Sequence, residues 1–199
     1  EIQDFANSVR ADFVIKHCAE NNSHYDWHSQ SLSSGYGVFG FYQGLQRLGH
    51  LEDYKFLGVQ QSVVSPFIKR FMPAEFTGVN LENETLIEKT LFRSVPTENL
   101  YARMENILKL YGGSFSLVTN NLYDAYEGEA LEILASAGAE IVRDTSGEII
   151  EKSGLIDLIG VMKAIDAGTI SKGKKVLISV TGGLGDVPIG QLNPSKIVV

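Results

Sequence analysis

The chain has 199 residues, of which 44% are hydrophobic and 21% charged, and 24 acidic against 17 basic residues give it a net charge of −7 at pH 7. This negative balance argues against a surface for nucleic acid or an anionic membrane, and the single cysteine, Cys18, excludes an internal disulfide. No apolar run reaches membrane-spanning length, so the composition predicts a cytoplasmic protein that binds a small molecule, with no nucleic acid and no membrane as partner.

The first predicted elements are a helix and a short extended segment. Helical spacing of apolar residues predicts a helix that ends near residues 21–22. Its stripe consists of Phe5, Val9, Phe13 and His17. The extended segment then leads into residues 29–45, which are rich in serine and glycine. His24 and His28 have the spacing of metal ligands on a helix, but the asparagines before them indicate a loop, so we expect no metal site.

The serine and glycine residues at positions 33–37 are the strongest candidate for a binding site. Glycine lets consecutive N–H groups point into one concavity, and a helix that follows leaves its first N–H groups unpaired at the positive end of its dipole. Such a concavity holds a phosphate, and serine hydroxyls add further donors. The candidates are Ser33, Ser34, Gly35, Tyr36 and Gly37. The alternative is a tight strand-to-helix turn whose glycines serve only close packing.

Residues 35–40 also match the pattern G-x-G-x-x-G, which occurs in dinucleotide-binding folds. Such a site follows a continuous apolar strand, but residues 26–31 are mostly polar. It also requires an acidic residue at the end of the next strand, which binds a ribose hydroxyl. Here the next strand ends in Gln60 and Gln61. We therefore disfavour a dinucleotide site.

The middle of the chain alternates between helix and strand signals. Apolar spacing predicts a helix over residues 38–48, which Gly49 ends. A buried strand follows over residues 55–60, and Pro66 opens a short helix. Residues 72–96 have no clear period and contain prolines, asparagines and charges, so we predict a long surface segment with one helical turn.

Regular structure returns after residue 96. The sequence predicts a helix, a strand, two helices and a last strand, over residues 101–111, 114–118, 123–137, 154–167 and 174–180. The last strand is apolar without alternation, which is typical of a strand covered on both faces. Strands that alternate with helices predict one α/β domain over residues 1–199, with three layers (αβα) and a mostly parallel sheet.

A second glycine-rich segment, residues 181–186, follows the last strand. Ligands of open parallel sheets bind outside the carboxyl ends of the strands, so Thr181 and the glycines after it are candidates for a contact with a ring or a phosphate. The alternative is an exit turn that a hydroxyl caps. Two glycine segments that both follow strands favour one shared ligand site.

The order and spacing of these segments resemble the fold type II pyridoxal-phosphate enzymes, and among them the threonine synthase group. The resemblance extends from about residue 26 to residue 186. It rests on the glycine loop at 33–40, the strand end at 57–60, the segment 151–154 before a helix and the threonine-glycine pair at 181–182. It implies the cofactor-binding large-domain part of a tryptophan-synthase-β-like fold, with pyridoxal 5′-phosphate as the cofactor.

The resemblance implies a role for each matched residue. Residues 33–37 would hold the cofactor phosphate, Thr181 would offer its hydroxyl to the pyridine nitrogen, and Ser153 would lie near the cofactor. The Schiff-base lysine of the family belongs to a motif that does not occur in this sequence. We therefore expect the carboxyl-terminal portion of a longer enzyme, with the lysine-bearing half missing, and no activity from this chain alone.

The substrate that the resemblance implies is a small-molecule phosphorylated amino acid. Tyr36 stands where threonine synthases usually have threonine, and this departure favours the cysteate synthase branch, which converts O-phosphoserine and sulfite to cysteate and phosphate. One alternative is threonine synthase, which converts O-phosphohomoserine to threonine and phosphate. Another is a non-catalytic module that binds a phosphate-bearing ligand. Apolar surface left by a missing half would favour a homo-oligomer.

Overall fold

Parallel strands with helices on both faces form the fold in the computed structural model, which describes residues 2–51, 53–92, 95–139, 143, 146–149 and 152–180. The predicted site residue Thr181 and the whole segment 181–186 lie outside these residues. In chain order the elements are α1 (Ile2–Glu20), β1 (Trp27–Ser31), α2 (Tyr36–Arg47), β2 (Lys55–Gln61), α3 (Pro66–Phe71), α4 (Glu98–Tyr111), β3 (Gly113–Val118), α5 (Asn120–Ser136), α6 (Ser153–Asp166) and β4 (Val176–Ser179). Three 3-10 turns lie between α3 and α4, at Pro73–Phe76, Leu81–Asn83 and Lys89–Leu91.

The strand order is β3-β2-β1-β4, and every neighbouring pair is parallel. The register of β1 and β2 pairs Trp27 with Lys55 and Ser31 with Val59, so their carboxyl ends lie at the same edge of the sheet. The chain steps from β1 to β2 to β3 in one direction and then places β4 on the other side of β1. This reversal is a topological switch point, where open α/β sheets leave a crevice for ligands.

Two hydrophobic clusters cover the two faces of the sheet. Helices α1, α2 and α4 pack on one face, where Phe56 of β2 lies in the cluster. Helices α5 and α6 pack on the other face around Leu57 and Ile159. Successive residues of β2 enter opposite clusters because side chains alternate along a strand. The three-layer αβα fold with a parallel sheet that we predicted is therefore confirmed.

Strand β1 lies in the centre of the described sheet although its sequence is mostly polar. All five of its residues are buried. The Ser29 hydroxyl donates to Asp157 Oδ1 of α6 at 2.6 Å, and His28 Nε2 lies 2.8 Å from Ser179 Oγ of β4. Because these partners replace water, a strand without an apolar run is stable in the core. The short extended segment that we predicted is therefore a central strand.

The described part of residues 72–96 is more buried than we predicted. Gln61, at the end of β2, holds it in place: its Nε2 donates to the Glu88 carbonyl at 2.8 Å, and its Oε1 accepts from the Glu88 N–H at 3.0 Å. Leu91 is buried as well. The prediction of a surface segment is therefore wrong for Glu88 and Leu91. A side chain of β2 supplies the hydrogen bonds that water supplies at a surface.

The apolar residues of α1 and of β4 are covered to different extents. The apolar residues that predicted α1 lie largely in solvent, with Phe5 71% and Phe13 70% exposed, whereas Ala11 is buried. Neither α1 nor any other described helix combines the length and the apolar character that crossing a membrane requires. Strand β4 is an edge of the described sheet, and its residues are half-buried. Leu177 packs against the cluster on one face of the sheet and Val176 and Ile178 against the cluster on the other, so the strand is covered on both faces, as we predicted.

Helix α1 packs against α2 at backbone distance because α2 carries glycines at the contact. A Cβ on Gly44 would stand 2.7 Å from Ala11 Cβ and nearer still to the Ser8 carbonyl oxygen, and a Cβ on Gly40 would collide with Asn7. Packed side chains do not approach one another so closely. The helix contact therefore requires glycine at both positions.

We expect Gly44→Ala to lower the free energy of unfolding by about 1–3 kcal/mol, because overpacking a close contact costs more than the helix propensity that alanine gains. Gly128→Ala is the matched control. Gly128 lies inside α5, and a Cβ there would meet nothing within 4 Å. The control should therefore raise the free energy of unfolding by about 0.5–1 kcal/mol. Urea unfolding measures both values. Equal effects at the two positions would contradict the close packing.

Candidate functional site

A cavity of about 510 Å³ lies at the carboxyl end of β1. Three parts of the chain line it: α1, the β1–α2 loop with the first turn of α2, and the 3-10 turn at Lys89–Leu91. All five residues that we predicted to form the phosphate loop are in its wall, namely Ser33, Ser34, Gly35, Tyr36 and Gly37. Because β1 neighbours β4 at the switch point, the cavity lies where a ligand is expected in a sheet of this order.

Gly35 sets the direction in which α2 begins. Its φ of +84° and ψ of −4° lie in the left-handed region, which glycine adopts without strain. The Phe39 N–H donates to the Gly35 carbonyl at 2.9 Å, so the N–H groups of residues 36–38 precede the first α-helical hydrogen bond. With Tyr36 and Gly37 in the cavity wall, the positive end of the helix dipole favours an anion there.

Gly37 leaves room for two polar side chains beside the first turn of α2. A Cβ at this position would stand 2.6 Å from Gln30 Nε2 and 2.9 Å from Arg10 Nη1. Both distances are too short for a real side chain. Gln30 comes from β1 and Arg10 from α1, so hydrogen-bond donors from three elements meet at this turn.

Ser31 adds a buried hydroxyl to the cavity wall. Its residue is 3% exposed, and within the described part of the chain its Oγ has no hydrogen-bond partner. An unmet buried polar group costs on the order of 1–3 kcal/mol, which a ligand that pairs with it would recover. Ser33 and Ser34 are half-buried and bring two more hydroxyls to the same wall.

The other predicted site residues are not part of this cavity wall. Ser153 is fully buried at the start of α6 and does not line the cavity. Its neighbour Gly154 contacts Val180, the residue that follows β4, because a Cβ on Gly154 would stand 2.8 Å from a methyl of Val180. The start of α6 therefore lies beside the residue that precedes Thr181. No lysine is among the described residues that line the cavity.

Sequence reasoning missed several residues of the cavity. Arg10 and Asn7 lie on a helix that carries no motif, and Thr90 lies in a segment without a period. These residues reach the cavity only through contacts between distant parts of the chain. Ser31 alone had a local signal, since it is a small polar residue at the carboxyl end of a strand.

Two buried titratable groups are His28 of β1 and Asp157 of α6, which contacts β1. Burial raises the pKa of Asp157 well above its ordinary value, although the hydrogen bond from Ser29 opposes this. Burial, together with the positive charge of Arg10, lowers the pKa of His28 to about 3. His28 is therefore neutral at pH 7. It lies in β1 whereas His24 lies in the preceding loop, so the two do not share a helix face.

The comparisons with known proteins concern the fold. No family model and no curated protein sequence matches the chain. Among solved structures, a fungal L-serine ammonia-lyase from Rhizomucor miehei superimposes with a TM-score of 0.54 and 17% identity, over 87% of this chain and 50% of that one. A threonine deaminase from T.th. gives a TM-score of 0.54 and 14% identity, over 86% of this chain and 54% of that one.

The likeness shows a common fold. The chain spans about half the length of the two structures it matches. Its parallel sheet between helices is the α/β fold of these proteins, as the resemblance to fold type II enzymes implied.

We expect the buried His28 to make the protein sensitive to acid. Between pH 6.5 and about 3 the unfolded chain binds a proton at this residue that the folded chain does not. The free energy of unfolding therefore falls as the pH drops through this window, by about 1.4 kcal/mol per pH unit from this group. His28→Gln should remove this part of the slope, and His24→Gln, which changes an exposed loop residue, should keep it. Urea unfolding at several pH values measures the slopes; parallel slopes for wild type and His28→Gln would refute the expectation.

Proposed function

We propose that the cavity holds the phosphate of pyridoxal 5′-phosphate, and that the protein containing this chain uses the cofactor in an elimination or replacement on an O-phosphorylated amino acid. One observation carries the proposal: a left-handed glycine, the N–H groups that open α2 and serine hydroxyls share one cavity wall. The fold shared with a serine ammonia-lyase and a threonine deaminase supports the proposal at the level of enzyme class.

The residues present fit the phosphate end of this cofactor. A phosphate monoester carries a charge of about −1.5 to −2 at pH 7 and accepts several hydrogen bonds. The hydroxyls of Ser33 and Ser34 and the N–H groups of Tyr36 and Gly37 are donors in the wall. The missing Cβ of Gly37 lets the donor groups of Gln30 and Arg10 lie beside the start of α2.

When bound, the cofactor supplies an electron sink for the negative charge that develops at the α-carbon of an amino acid. We propose that the Thr181 hydroxyl contacts the pyridine nitrogen and that Ser153 lies near the ring. The contact between Gly154 and Val180 supports a joint role, since these residues adjoin Ser153 and Thr181. A neutral hydroxyl leaves the ring less electron-withdrawing than a carboxylate would. The lysine that holds the cofactor comes from outside the described cavity wall.

For the substrate we propose O-phosphoserine, which sulfite converts to cysteate with release of phosphate. Tyr36 supports this choice because its half-buried ring lies in the cavity wall, 6.3 Å from the Phe39 ring, and narrows the space beside the phosphate loop. A narrower space favours the shorter phosphoserine over phosphohomoserine. The threonine synthase reaction on O-phosphohomoserine is the alternative within the same family.

A second candidate is the release of ammonia from serine or threonine. The observation that favours it is the fold shared with an L-serine ammonia-lyase and a threonine deaminase. The proposed phosphate site at residues 33–37 suits this reaction equally well, because both reactions would use the same cofactor phosphate. The two candidates differ in the leaving group, which is phosphate in one and water in the other.

A third candidate is a non-catalytic module that binds a phosphate-bearing small molecule. The cavity wall supports this candidate because it has hydrogen-bond donors for a phosphate and, among its described residues, no lysine.

We further propose that the exposed Phe5 and Phe13 support contacts with another chain, as in a homo-oligomer, since exposed aromatic residues on one helix favour association. No nucleic acid or membrane is proposed as a partner.

The assay that tests the function uses the natural protein that carries these 199 residues, saturated with pyridoxal 5′-phosphate. Three reactions are followed in parallel: cysteate and phosphate from O-phosphoserine with sulfite, threonine and phosphate from O-phosphohomoserine, and ammonia from serine or threonine. We expect the first to be fastest. Turnover of phosphohomoserine alone would replace our proposed substrate by the alternative. Ammonia release alone would support the second candidate. Cofactor binding without turnover of any substrate would support the non-catalytic module.

The proposed phosphate site at residues 33–37 can be tested in the 199-residue chain. We expect Gly37→Ala to weaken binding of pyridoxal 5′-phosphate at least about tenfold, because the new methyl displaces Gln30 and Arg10 and covers the start of α2. Binding of pyridoxal, which lacks the phosphate, should change little. Gly128→Ala, on the distant helix α5, is the control. Equilibrium dialysis measures the binding of both ligands to each variant and to the wild type. Equal losses of affinity for the cofactor and for pyridoxal in Gly37→Ala would count against a phosphate site.

A further inference from the structure

Arg10 brings a positive charge to the phosphate loop from a different part of the chain. It lies on α1, and its Nη1 lies 2.9 Å from the position that a Cβ of Gly37 would occupy. The glycine contacts of Gly40 and Gly44 with α1 are what allow this approach, because they bring the two helix backbones together. The guanidinium therefore lies beside the first turn of α2, within the cavity wall.

No ion pair in the described part of the chain neutralises the positive charge of Arg10. The two other charged groups of α1 near this face pair elsewhere: Asp4 Oδ1 with Arg103 at 2.9 Å, and Asp12 Oδ2 with Arg47 at 2.5 Å. In the part of the chain that the structure describes, no carboxylate forms an ion pair with Arg10. The positive end of the α2 dipole lies beside the guanidinium and repels it. A partly buried cation in this position calls for an anion.

Ser31 is an independent sign of a ligand at the same place. Its hydroxyl is buried, lines the same cavity and lacks a hydrogen-bond partner among the described residues. Ser31 belongs to β1 and Arg10 to α1, so neither observation follows from the other. A cation, an unmet buried hydroxyl and the N–H groups at the start of α2 together offer the donors that a doubly charged phosphate accepts.

We infer that Arg10 binds the phosphate group of the ligand in this cavity, with the Ser31 hydroxyl as a second donor, so that the site selects a phosphate monoester dianion. The inference rests on the proposed function and adds two binding residues from outside the phosphate loop. The phosphate belongs either to pyridoxal 5′-phosphate or to a phosphorylated amino acid. Arginine suits either source because its planar donors pair with two phosphate oxygens at once.

The test compares Arg10→Gln with Arg47→Gln in the 199-residue chain. Both variants remove one positive charge, but Arg47 lies in the last turn of α2 and is exposed. Binding of inorganic phosphate is followed by ³¹P NMR titration. We expect Arg10→Gln to weaken binding roughly 10- to 100-fold, the loss of one charge-assisted hydrogen-bonding group. Arg47→Gln should bind as the wild type does, and Arg10→Lys should recover part of the affinity.

Matched ligands identify the source of the phosphate. The same variants are titrated with pyridoxal 5′-phosphate against pyridoxal, and with O-phosphoserine against serine. A loss confined to the cofactor assigns Arg10 to the cofactor phosphate, and a loss confined to phosphoserine assigns it to the substrate phosphate. Wild-type affinity of Arg10→Gln for every phosphate ligand would overturn the role of Arg10 and leave the proposed function intact. A wild-type chain that binds no phosphate ligand would overturn both.

A second measurement needs no variant that removes the charge. The second pKa of a phosphate monoester is ordinarily about 6, and a bound cation lowers it. The ³¹P shift of O-phosphoserine bound to the wild type, followed against pH, should give a pKa below that of the free ligand. An unchanged value would contradict a contact with Arg10, even if Arg10→Gln fails to fold. Ser31→Ala should weaken binding and shift this pKa only part of the way toward that of the free ligand, because it removes one donor to the dianion and leaves the Arg10 charge in place.

Discussion

The contact of α1 with α2 at backbone distance is the constraint on which the candidate site depends. Gly37, Gly40 and Gly44 follow one another at helical spacing, and a Cβ on any of them would collide with a neighbour. The contact fixes the position of α1 and with it the position of Arg10. The proposed anion site therefore depends on the packing of two helices, and the loop between β1 and α2 supplies only part of it.

Strand β1 changes character along its length. In its middle, His28 Nε2 and the Ser29 hydroxyl have partners on β4 and α6, while His28 Nδ1 has none in the described part of the chain. At its carboxyl end, Ser31 is equally buried but its hydroxyl has no described partner. The unmet group lies where the cavity begins. Buried polar groups without a hydrogen-bond partner are concentrated at functional sites, since a ligand can supply the missing hydrogen bond.

The electrostatics of the cavity differ from those of the chain as a whole. A net charge of −7 describes the surface, but the cavity wall contains a guanidinium and the opening N–H groups of a helix. Asp4 and Asp12 of the same helix form ion pairs with Arg103 and Arg47. The cavity can therefore attract a small dianion while the protein repels larger polyanions. Each proposed function depends on this property, because each requires a phosphate group.

Local patterns were sufficient to predict the succession of helices and strands and the loop at residues 33–37, because apolar spacing and glycine positions are properties of neighbouring residues. They could not reveal that the polar segment Trp27–Ser31 is a central strand. That depends on Asp157 and Ser179, which lie 128 and 151 residues from their partners along the chain. The strand order, the burial of Glu88 and the approach of Arg10 to Gly37 were likewise decided by tertiary packing. Each arises from contacts between segments whose own sequences carry no sign of the partner.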